Sequence, residues 1–270
     1  MATITPVTDV ADARVDDYRD LTAADRRPDR PGGRGLVIAE GVVVVRRLLD
    51  SPYPVRSLLG VPRRIDELAA DLDGHDVPAY ATDADTMASV VGFHLNRGVL
   101  AVADRAPAPD VPELLRTARI LAVLEGVGDH ENLGALFRNA AALGVDGVLL
   151  GPRCSDPLYR RSVRVSMGHV LRVPFAELPG PWPASLGVLR AAGLRVAALT
   201  PAAHAVPLAQ AGLGGQRVAL LLGAEGPGLS DEALAAADVR VRIPMATGVD
   251  SLNVATAAAV AFHAVASPVG

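Results

Sequence analysis

The sequence contains no lysine, so all 26 of its basic residues are arginine. With 30 acidic residues the formal net charge is −4, which does not favour a protein that binds polyanions through its overall charge. A single cysteine, Cys154, excludes a disulfide framework and a cysteine metal cluster within one chain. No apolar run reaches membrane-spanning length without a charge, a proline or a glycine, which disfavours a membrane-spanning protein.

Aromatic residues are also scarce, at 3% of the 270 residues, although half of the chain is hydrophobic. The core must therefore be built from alanine, valine and leucine, which favours layered α/β packing over a small aromatic-rich β fold. The first twenty residues include acidic side chains and no apolar stretch, unlike a secretory signal. We expect a soluble, cytoplasmic protein with one large domain or two ordinary ones.

Strands and helices alternate along two parts of the chain, which predicts two α/β domains. Residues 35–104 form the smaller predicted domain, and residues 1–34 form an extension before it. Three prolines mark residues 105–118 as a linker that runs into a short helix. Residues 119–270 form the larger predicted domain.

The larger domain is predicted to be a doubly wound parallel sheet. Several of its strands are continuous apolar runs, as is typical of parallel strands buried on both faces. The strands are predicted at 120–126, 146–151, 195–200, 217–223 and 239–245. Helices are predicted at 133–143, 160–169, 183–192, 230–237 and 251–265. Such sheets bind ligands beyond the carboxyl ends of their strands, so we expect the chemistry in the loops that follow them.

The first loop of interest lies in EGVGDHENLGALFRNAAALG, residues 125–144. A helix is predicted to begin near Asn132, a good N-cap, and to place Gly134 and Arg138 on one flank, one turn apart. The Arg138 guanidinium would contact a phosphate or a carboxylate, or polarise a hydroxyl, while Gly134 would let the ligand approach. The alternative is a capped helix with a surface arginine and a glycine that serves packing.

The second loop lies in LLLGAEGPGLSDEAL, residues 220–234, where Ser230 is predicted to cap a helix. Its glycines allow a ligand close to the backbone, but the pattern is not the dinucleotide fingerprint G-x-G-x-x-G. The carboxylate of Glu225 would repel a pyrophosphate and suits a cationic or hydroxyl-bearing ligand better. The alternative is an ordinary glycine-rich turn between a strand and a helix.

The third loop leads from IPM, residues 243–245, to a very apolar helix that is predicted to begin at Ser251. Ser251 and Asn253 are both candidates to face a pocket. The alternative is that Asp250 or Ser251 only caps this helix, whose apolar surface then packs in a core or a subunit interface.

A cluster of arginines follows the first loop. Residues 151–174 contain five arginines and one acidic residue, Asp156. Such a cluster is typical of contact with the phosphates of a nucleic acid, and the alternative is a solvated helix face. The five are Arg153, Arg160, Arg161, Arg164 and Arg172.

The three loops, taken in order, resemble the motifs of the SpoU/TrmH family of RNA ribose 2′-O-methyltransferases, in the SPOUT superfamily. The first motif is Asn132-x-Gly134-x-x-x-Arg138, closed by Gly144. The second is Gly223-x-Glu225-Gly226-x-Gly228-Leu229-Ser230. The third is Ile243-Pro244-Met245 followed by Ser251-Leu252-Asn253-Val254. The resemblance covers about residues 118–266, and residues 35–103 resemble, more loosely, the family's N-terminal substrate-binding domain, which is similar to a small ribosomal protein.

The resemblance implies a C-terminal parallel-sheet α/β domain with a deep trefoil knot, a homodimer formed through it, S-adenosylmethionine as cofactor and no metal ion. It implies five catalytic residues, namely Asn132, Arg138, Glu225, Ser251 and Asn253. It also implies a set of cofactor-binding residues: Thr200, Leu222, Gly223, Ala224, Glu225, Gly226, Ile243, Met245, Ser251, Leu252 and Val254. The arginines that we expect to bind RNA are Arg34, Arg97, Arg138, Arg160, Arg161 and Arg164.

The implied reaction transfers a methyl group to a ribose 2′-hydroxyl of RNA. The two-domain layout favours large-subunit (23S) ribosomal RNA as the substrate. Two alternatives stay open: a tRNA 2′-O-methyltransferase, and a non-catalytic RNA-binding or ribosome-assembly protein on the same scaffold. A nucleotide-dependent oxidoreductase is disfavoured because the dinucleotide fingerprint is missing.

Overall fold

The computed structural model describes residues 4–21 and 35–266. The chain divides into two compact units, the first running to residue 107 and including 156–172, and the second containing 108–155 and the residues from 173 onward. The first point at which the chain passes from one unit to the other, between residues 107 and 108, lies in the predicted linker at 105–118. The segment 156–172, which was predicted within the larger domain, groups with the first unit instead.

The strands of the described residues are, in chain order, β1 (Ile4–Pro6), β2 (Val37–Glu40), β3 (Val55–Gly60), β4 (Ala79–Ala81), β5 (Val99–Ala103), β6 (Ile120–Glu125), β7 (Gly147–Leu150), β8 (Phe175–Glu177), β9 (Arg195–Leu199), β10 (Val206–Pro207), β11 (Val218–Gly223) and β12 (Val239–Arg242). The α-helices are α1 (Val42–Leu49), α2 (Pro62–Asp66), α3 (Ala69–Leu72), α4 (Ala84–Val91), α5 (Val111–Thr117), α6 (His130–Ala142), α7 (Arg160–Val165), α8 (Gly187–Ala191), α9 (Asp231–Ala236) and α10 (Val254–Ala266). Within the described part of the chain, none of the helices has the length and hydropathy that crossing a membrane requires.

The first unit contains a mixed sheet in the order β1-β4-β3-β5-β2. Strand β5 runs antiparallel to β2 and β3, whereas β4 is parallel to β1 and β3. Residues 4–21, predicted as part of a separate extension, belong to this unit, because β1 pairs with β4 and because Val15 and Tyr18 are fully buried in its core. Helices α2 and α3 are separate, since Leu68 between them leaves the helical conformation.

The second unit contains a sheet in the order β10-β12-β9-β11-β6-β7-β8, in which every neighbouring pair is parallel. Strand β6, which lies between β11 and β7, is buried along its whole length, as expected of a parallel strand covered on both faces. The predicted parallel α/β sheet is thereby confirmed, and its five predicted strands correspond to β6, β7, β9, β11 and β12. Sequence reasoning missed β8 and β10, because strands of three and two residues carry no readable alternation.

Among the helices of the second unit, α6 and α10 border the predicted motifs, and both begin at residues other than those predicted. Helix α6 is capped by Asp129, whose carboxylate accepts hydrogen bonds from the backbone N–H groups of Glu131 and Asn132. Asn132 is therefore not the cap but a residue of the first turn. Helix α10 begins at Val254 rather than at Ser251, and its first backbone N–H groups are bound by the side chain of Asn253. In α6 the capping residue lies three residues before the predicted one, and in α10 it lies two residues after the predicted one.

Candidate active site

A cavity of about 330 Å³ lies in the second unit, beyond the carboxyl ends of β9, β11 and β12. Parallel strands end at the same edge of a sheet, so the three loops that follow these strands meet there. Every residue predicted to bind the cofactor lines this cavity, namely Thr200, Leu222, Gly223, Ala224, Glu225, Gly226, Ile243, Met245, Ser251, Leu252 and Val254. The volume lies within the range of about 300–1,000 Å³ that is usual for small-molecule sites.

The loop after β11, residues 224–230, folds back onto the strand that leads into it. The backbone N–H of Gly228 donates to the carbonyl of Ala224 at 3.1 Å, which closes the loop. A Cβ on Gly223 would lie less than 3.0 Å from the backbone of Gly228 and Leu229, a separation that real side chains do not reach. Position 223 therefore requires glycine, and the fold of this loop shapes one wall of the cavity.

The side chain of Asn253 connects the three loops. Its Nδ2 donates to Oδ1 of Asn132 at 2.7 Å and to Oε1 of Glu225 at 2.5 Å. Its Oδ1 accepts from the backbone N–H groups of Ala255 and Thr256 at 3.0 and 3.2 Å, which caps α10. One amide thus uses its donor for the site and its acceptor for the helix. Three of the five residues predicted to be catalytic meet here, and a fourth, Ser251, lines the same cavity.

The fifth, Arg138, lies apart from this group. Its side chain is exposed on α6, it does not line the cavity, and it makes no hydrogen bond or ion pair with a residue that the structure describes. The neighbouring Gly134 is buried. The interpretation of Gly134 as an open spot through which a ligand approaches Arg138 is therefore wrong, because a buried glycine leaves no room for a ligand at that point.

Sequence reasoning missed Glu125, the last residue of β6. Its side chain is 1% exposed, and its carboxylate accepts hydrogen bonds from the indole Nε1–H of Trp182 and from the backbone N–H of Ser230, both at 3.0 Å. Nη2 of Arg153 lies 3.5 Å from the same carboxylate. The available signal was an acidic residue at the end of an otherwise apolar buried strand, since a charge in that position needs partners.

Comparison with known proteins identifies the family of this chain. Residues 119–263, more than half of the chain, match the profile of the SpoU rRNA Methylase family. The chain belongs to this family. The resemblance inferred from the three motifs is confirmed, and the protein is an RNA methyltransferase.

Relatives of this SpoU methylase cover nearly its whole length. A protein of Mycobacterium tuberculosis named as an uncharacterized tRNA/rRNA methyltransferase is 57% identical over 259 residues, which are 95% of this chain and 90% of that protein. A 23S rRNA (guanosine(2553)-2′-O)-methyltransferase of Bacillus subtilis is 28% identical, with 84% of this chain and 86% of its own covered. The crystal structure of an AdoMet-bound rRNA methyltransferase from Sinorhizobium meliloti superposes with a TM-score of 0.80 at 26% identity and covers 97% of each chain.

The predicted RNA-binding arginines of the SpoU methylase differ in their surroundings. In the first unit, the guanidinium of Arg160 lies 4.7 Å from the centroid of the Phe93 ring, and its Nη1 lies 3.5 Å from Oε2 of the buried Glu40. Burial lowers the pKa of Arg160, an effect that the carboxylate of Glu40 partly offsets. This arginine is engaged within its own unit, which the spacing of α7 could not reveal.

The other arginines on α7 are more accessible. Arg161 is exposed and Arg164 is half-buried, and together with Tyr159 and Arg160 they line a cavity of about 160 Å³. Arg97 is exposed, and its stem packs against Gly41. Arg34 lies outside the described residues. No group of three or more potential metal ligands is found in residues 4–21 and 35–266.

Proposed function

We propose that this SpoU methylase transfers a methyl group from S-adenosylmethionine to a ribose 2′-hydroxyl of large-subunit ribosomal RNA. The observation that carries the proposal is the hydrogen-bonded group of Asn132, Glu225 and Asn253, which joins all three motifs at the cavity. The Bacillus subtilis relative, named as a 23S rRNA 2′-O-methyltransferase, supports the choice of RNA and of atom. We accordingly assign the reaction to the cytoplasm, where ribosomal RNA is found.

S-adenosylmethionine is the cofactor of this SpoU methylase, and the cavity suits it. Apolar side chains of Leu222, Ile243 and Leu252 offer a surface for a flat purine, and polar groups lie among them. The cofactor supplies a methyl group bonded to a positively charged sulfur. The carboxylate of Glu225 faces the same cavity and favours a cation there, and Asn253 fixes that carboxylate by a hydrogen bond.

Arg138 is proposed to act on the RNA rather than on the cofactor. An arginine is always protonated, so it makes a poor base but a good donor to a phosphate or a ribose oxygen. Its exposed position on α6, outside the cavity, supports contact with a large substrate that approaches from solvent. Holding the hydroxyl in line with the methyl group would supply much of the rate enhancement.

We further propose that the second unit contains the deep trefoil knot and forms a homodimer. The closed loop after β11 and the long segment between β12 and α10 are the parts that the family's knot would use. Support for a dimer comes from exposed apolar side chains on and before α10, with Val249, Leu252 and Val260 exposed by 49%, 37% and 41%.

The proposed reaction has a specific chemical test. The purified protein is incubated with S-adenosylmethionine carrying a labelled methyl group, together with either unmodified large-subunit rRNA or tRNA. We expect label in the rRNA, and we expect it in alkali-resistant dinucleotides, because a 2′-O-methyl group removes the hydroxyl that alkaline cleavage needs. Label in tRNA would contradict rRNA as the substrate, and label on a base would contradict the ribose 2′-oxygen as the methylated atom. Absence of cofactor binding by calorimetry would favour the non-catalytic alternative.

Gly223→Ala is expected to weaken the affinity for S-adenosylmethionine about tenfold or more and to lower the free energy of unfolding by about 1–3 kcal/mol, the usual effect of overpacking. The added methyl group has to displace the backbone of the loop at Gly228 and Leu229. Calorimetry and urea denaturation measure the two effects. The control is Gly187→Ala at the start of α8, where no atom lies near the new Cβ: the affinity should stay unchanged, and the free energy of unfolding should not fall, because alanine favours this helical conformation. Wild-type affinity of Gly223→Ala for S-adenosylmethionine would show that the conformation of the loop after β11 does not determine cofactor binding.

Arg160→Ala and Arg164→Ala are expected to separate folding from RNA binding. Arg160→Ala leaves the buried Glu40 without its cation and should lower the free energy of unfolding by about 1–2 kcal/mol. Arg164→Ala should leave stability unchanged but weaken rRNA binding and reduce the slope of log affinity against log salt by about 1. Urea denaturation and RNA binding at several salt concentrations measure both. Equal RNA affinity of Arg164→Ala and the wild type would show that the exposed side of α7 is a solvated face that does not bind RNA.

A further inference from the structure

Glu125 is a buried carboxylate that the proposed reaction does not use directly. It closes β6, a central strand of the second unit, and does not line the cavity. A buried carboxylate is costly unless charge-assisted hydrogen bonds satisfy it. Here Oε1 accepts from the indole of Trp182, with Arg153 at the longer distance of 3.5 Å, and Oε2 accepts from the backbone of Ser230.

These contacts connect Glu125 to both ends of the loop after β11. At the start of the loop, Glu125 is the register partner of Gly223 in the pairing of β6 with β11. At its end, the carboxylate binds the backbone N–H of Ser230, the residue that caps α9. Between these two points, Ala224, Glu225, Gly226 and Gly228 line the cavity. One residue therefore fixes the distance between the ends of a loop whose middle forms the cavity wall.

We propose that Glu125 is a positioning residue for the cofactor: by holding Ser230 beside the end of β6, it keeps the loop after β11 in its binding conformation. The inference rests on the S-adenosylmethionine-dependent function proposed above. It concerns affinity rather than chemistry, because Glu125 touches neither the cavity nor the group of Asn132, Glu225 and Asn253.

Trp182 provides a direct readout that does not depend on catalysis. It is the only tryptophan of the chain, so the intrinsic tryptophan emission comes from one indole. That indole donates to Glu125 and packs against Gly151, whose backbone N–H in turn donates to Leu124. A change at the Glu125 carboxylate therefore alters the surroundings of the indole before any cofactor is added.

The test replaces the carboxylate by an amide of the same shape. Trp182 and Ser230 donate to different oxygens of Glu125, and in Glu125→Gln one of these oxygens becomes an NH₂ group, so one of the two donors then faces another donor. We expect the dissociation constant for S-adenosylmethionine, measured by calorimetry, to rise about tenfold, as the loss of a hydrogen bond to a charged group predicts. KM for the cofactor should rise in parallel while kcat stays within about threefold, and the emission maximum of Trp182 should shift in the cofactor-free protein.

A matched control separates this role from the general loss of a buried charge. Glu40→Gln removes a carboxylate that is 6% exposed but lies in the first unit, and it should leave the cofactor affinity unchanged. If Glu125→Gln fails to fold, Trp182→Phe removes one donor and keeps the carboxylate, and a rise in the dissociation constant of twofold or more supports the proposal. A folded Glu125→Gln with wild-type cofactor affinity overturns it and leaves the proposed function intact. A wild-type protein that does not bind S-adenosylmethionine overturns both.

Discussion

Arg138→Ala is expected to lower the rate of methyl transfer to rRNA by about a thousandfold, the effect of removing a donor that stabilises a transition state. The dissociation constant for S-adenosylmethionine should stay within twofold of the wild-type value. The structure separates the two quantities, because the Arg138 side chain is exposed on α6 and lies outside the cavity. Because Arg138 binds no residue in the described part of the chain, its removal should leave the free energy of unfolding unchanged. A loss of rate would then reflect a lost contact with the RNA substrate.

Single-turnover kinetics with saturating cofactor and calorimetry of cofactor binding measure the two quantities. Arg138→Lys tests whether a bare positive charge suffices: we expect it to stay far below the wild type, because lysine lacks the planar fork of donors. Arg116→Ala is the control, since this arginine of α5 is 69% exposed in the same unit and makes only a surface ion pair with Glu113. If Arg138→Ala keeps a rate within threefold of the wild type, Arg138 is not an active-site residue.

Asn253→Asp is expected to keep the cap of α10 while lowering the rate of methyl transfer about ten- to a hundredfold. Aspartate caps a helix as well as asparagine does, so the bonds to the N–H groups of Ala255 and Thr256 persist. The donor to Asn132 and Glu225 is lost, and a second carboxylate then faces Glu225 at hydrogen-bonding distance. Two like charges so close repel each other, which displaces the Glu225 side chain from the cavity.

Asn253→Ala completes the experiment, because it removes the cap together with the donor. It should lower the free energy of unfolding by about 1 kcal/mol, the usual effect of losing an N-cap. A double-mutant cycle with Glu225→Gln measures the coupling, and the amide in place of Glu225 should relieve part of the repulsion in Asn253→Asp. If Asn253→Asp has the wild-type rate, the group of three side chains is a structural link between loops and not part of the reaction site.

The sequence alone determined the sheet and the residues around the cavity. The apolar runs at Ile120–Glu125 and Val218–Gly223 are long enough to identify buried parallel strands, because burial on both faces leaves no polar alternation. The loops after the strands were then located by the rule that ligands bind at the carboxyl ends. Three motifs placed there carried enough specific residues to indicate the family, which the match over residues 119–263 bears out.

The sequence could not decide which of several neighbouring polar residues caps each helix. Asp129 and Asn132 are both good N-caps for α6, and Asp250, Ser251 and Asn253 compete in the same way for α10. The outcome depends on where the neighbouring loops lie: Asn132 and Asn253 point at each other, and Glu225 joins them. Helical spacing likewise put Gly134 next to Arg138 but could not tell that Gly134 is covered.

The tertiary structure alone decided which charged side chains are buried among partners and which stay exposed. Arg160 and Glu40 are 120 residues apart in sequence and meet in the first unit, whereas Arg161 on the same helix stays exposed. Glu125 finds its partners at Trp182 and Ser230, 57 and 105 residues further along the chain. Sequence patterns report periodicity over a few residues, but the cost of burying a charge is offset by whichever groups the fold brings within hydrogen-bonding distance. That physical requirement is non-local, and for this reason only the folded chain shows it.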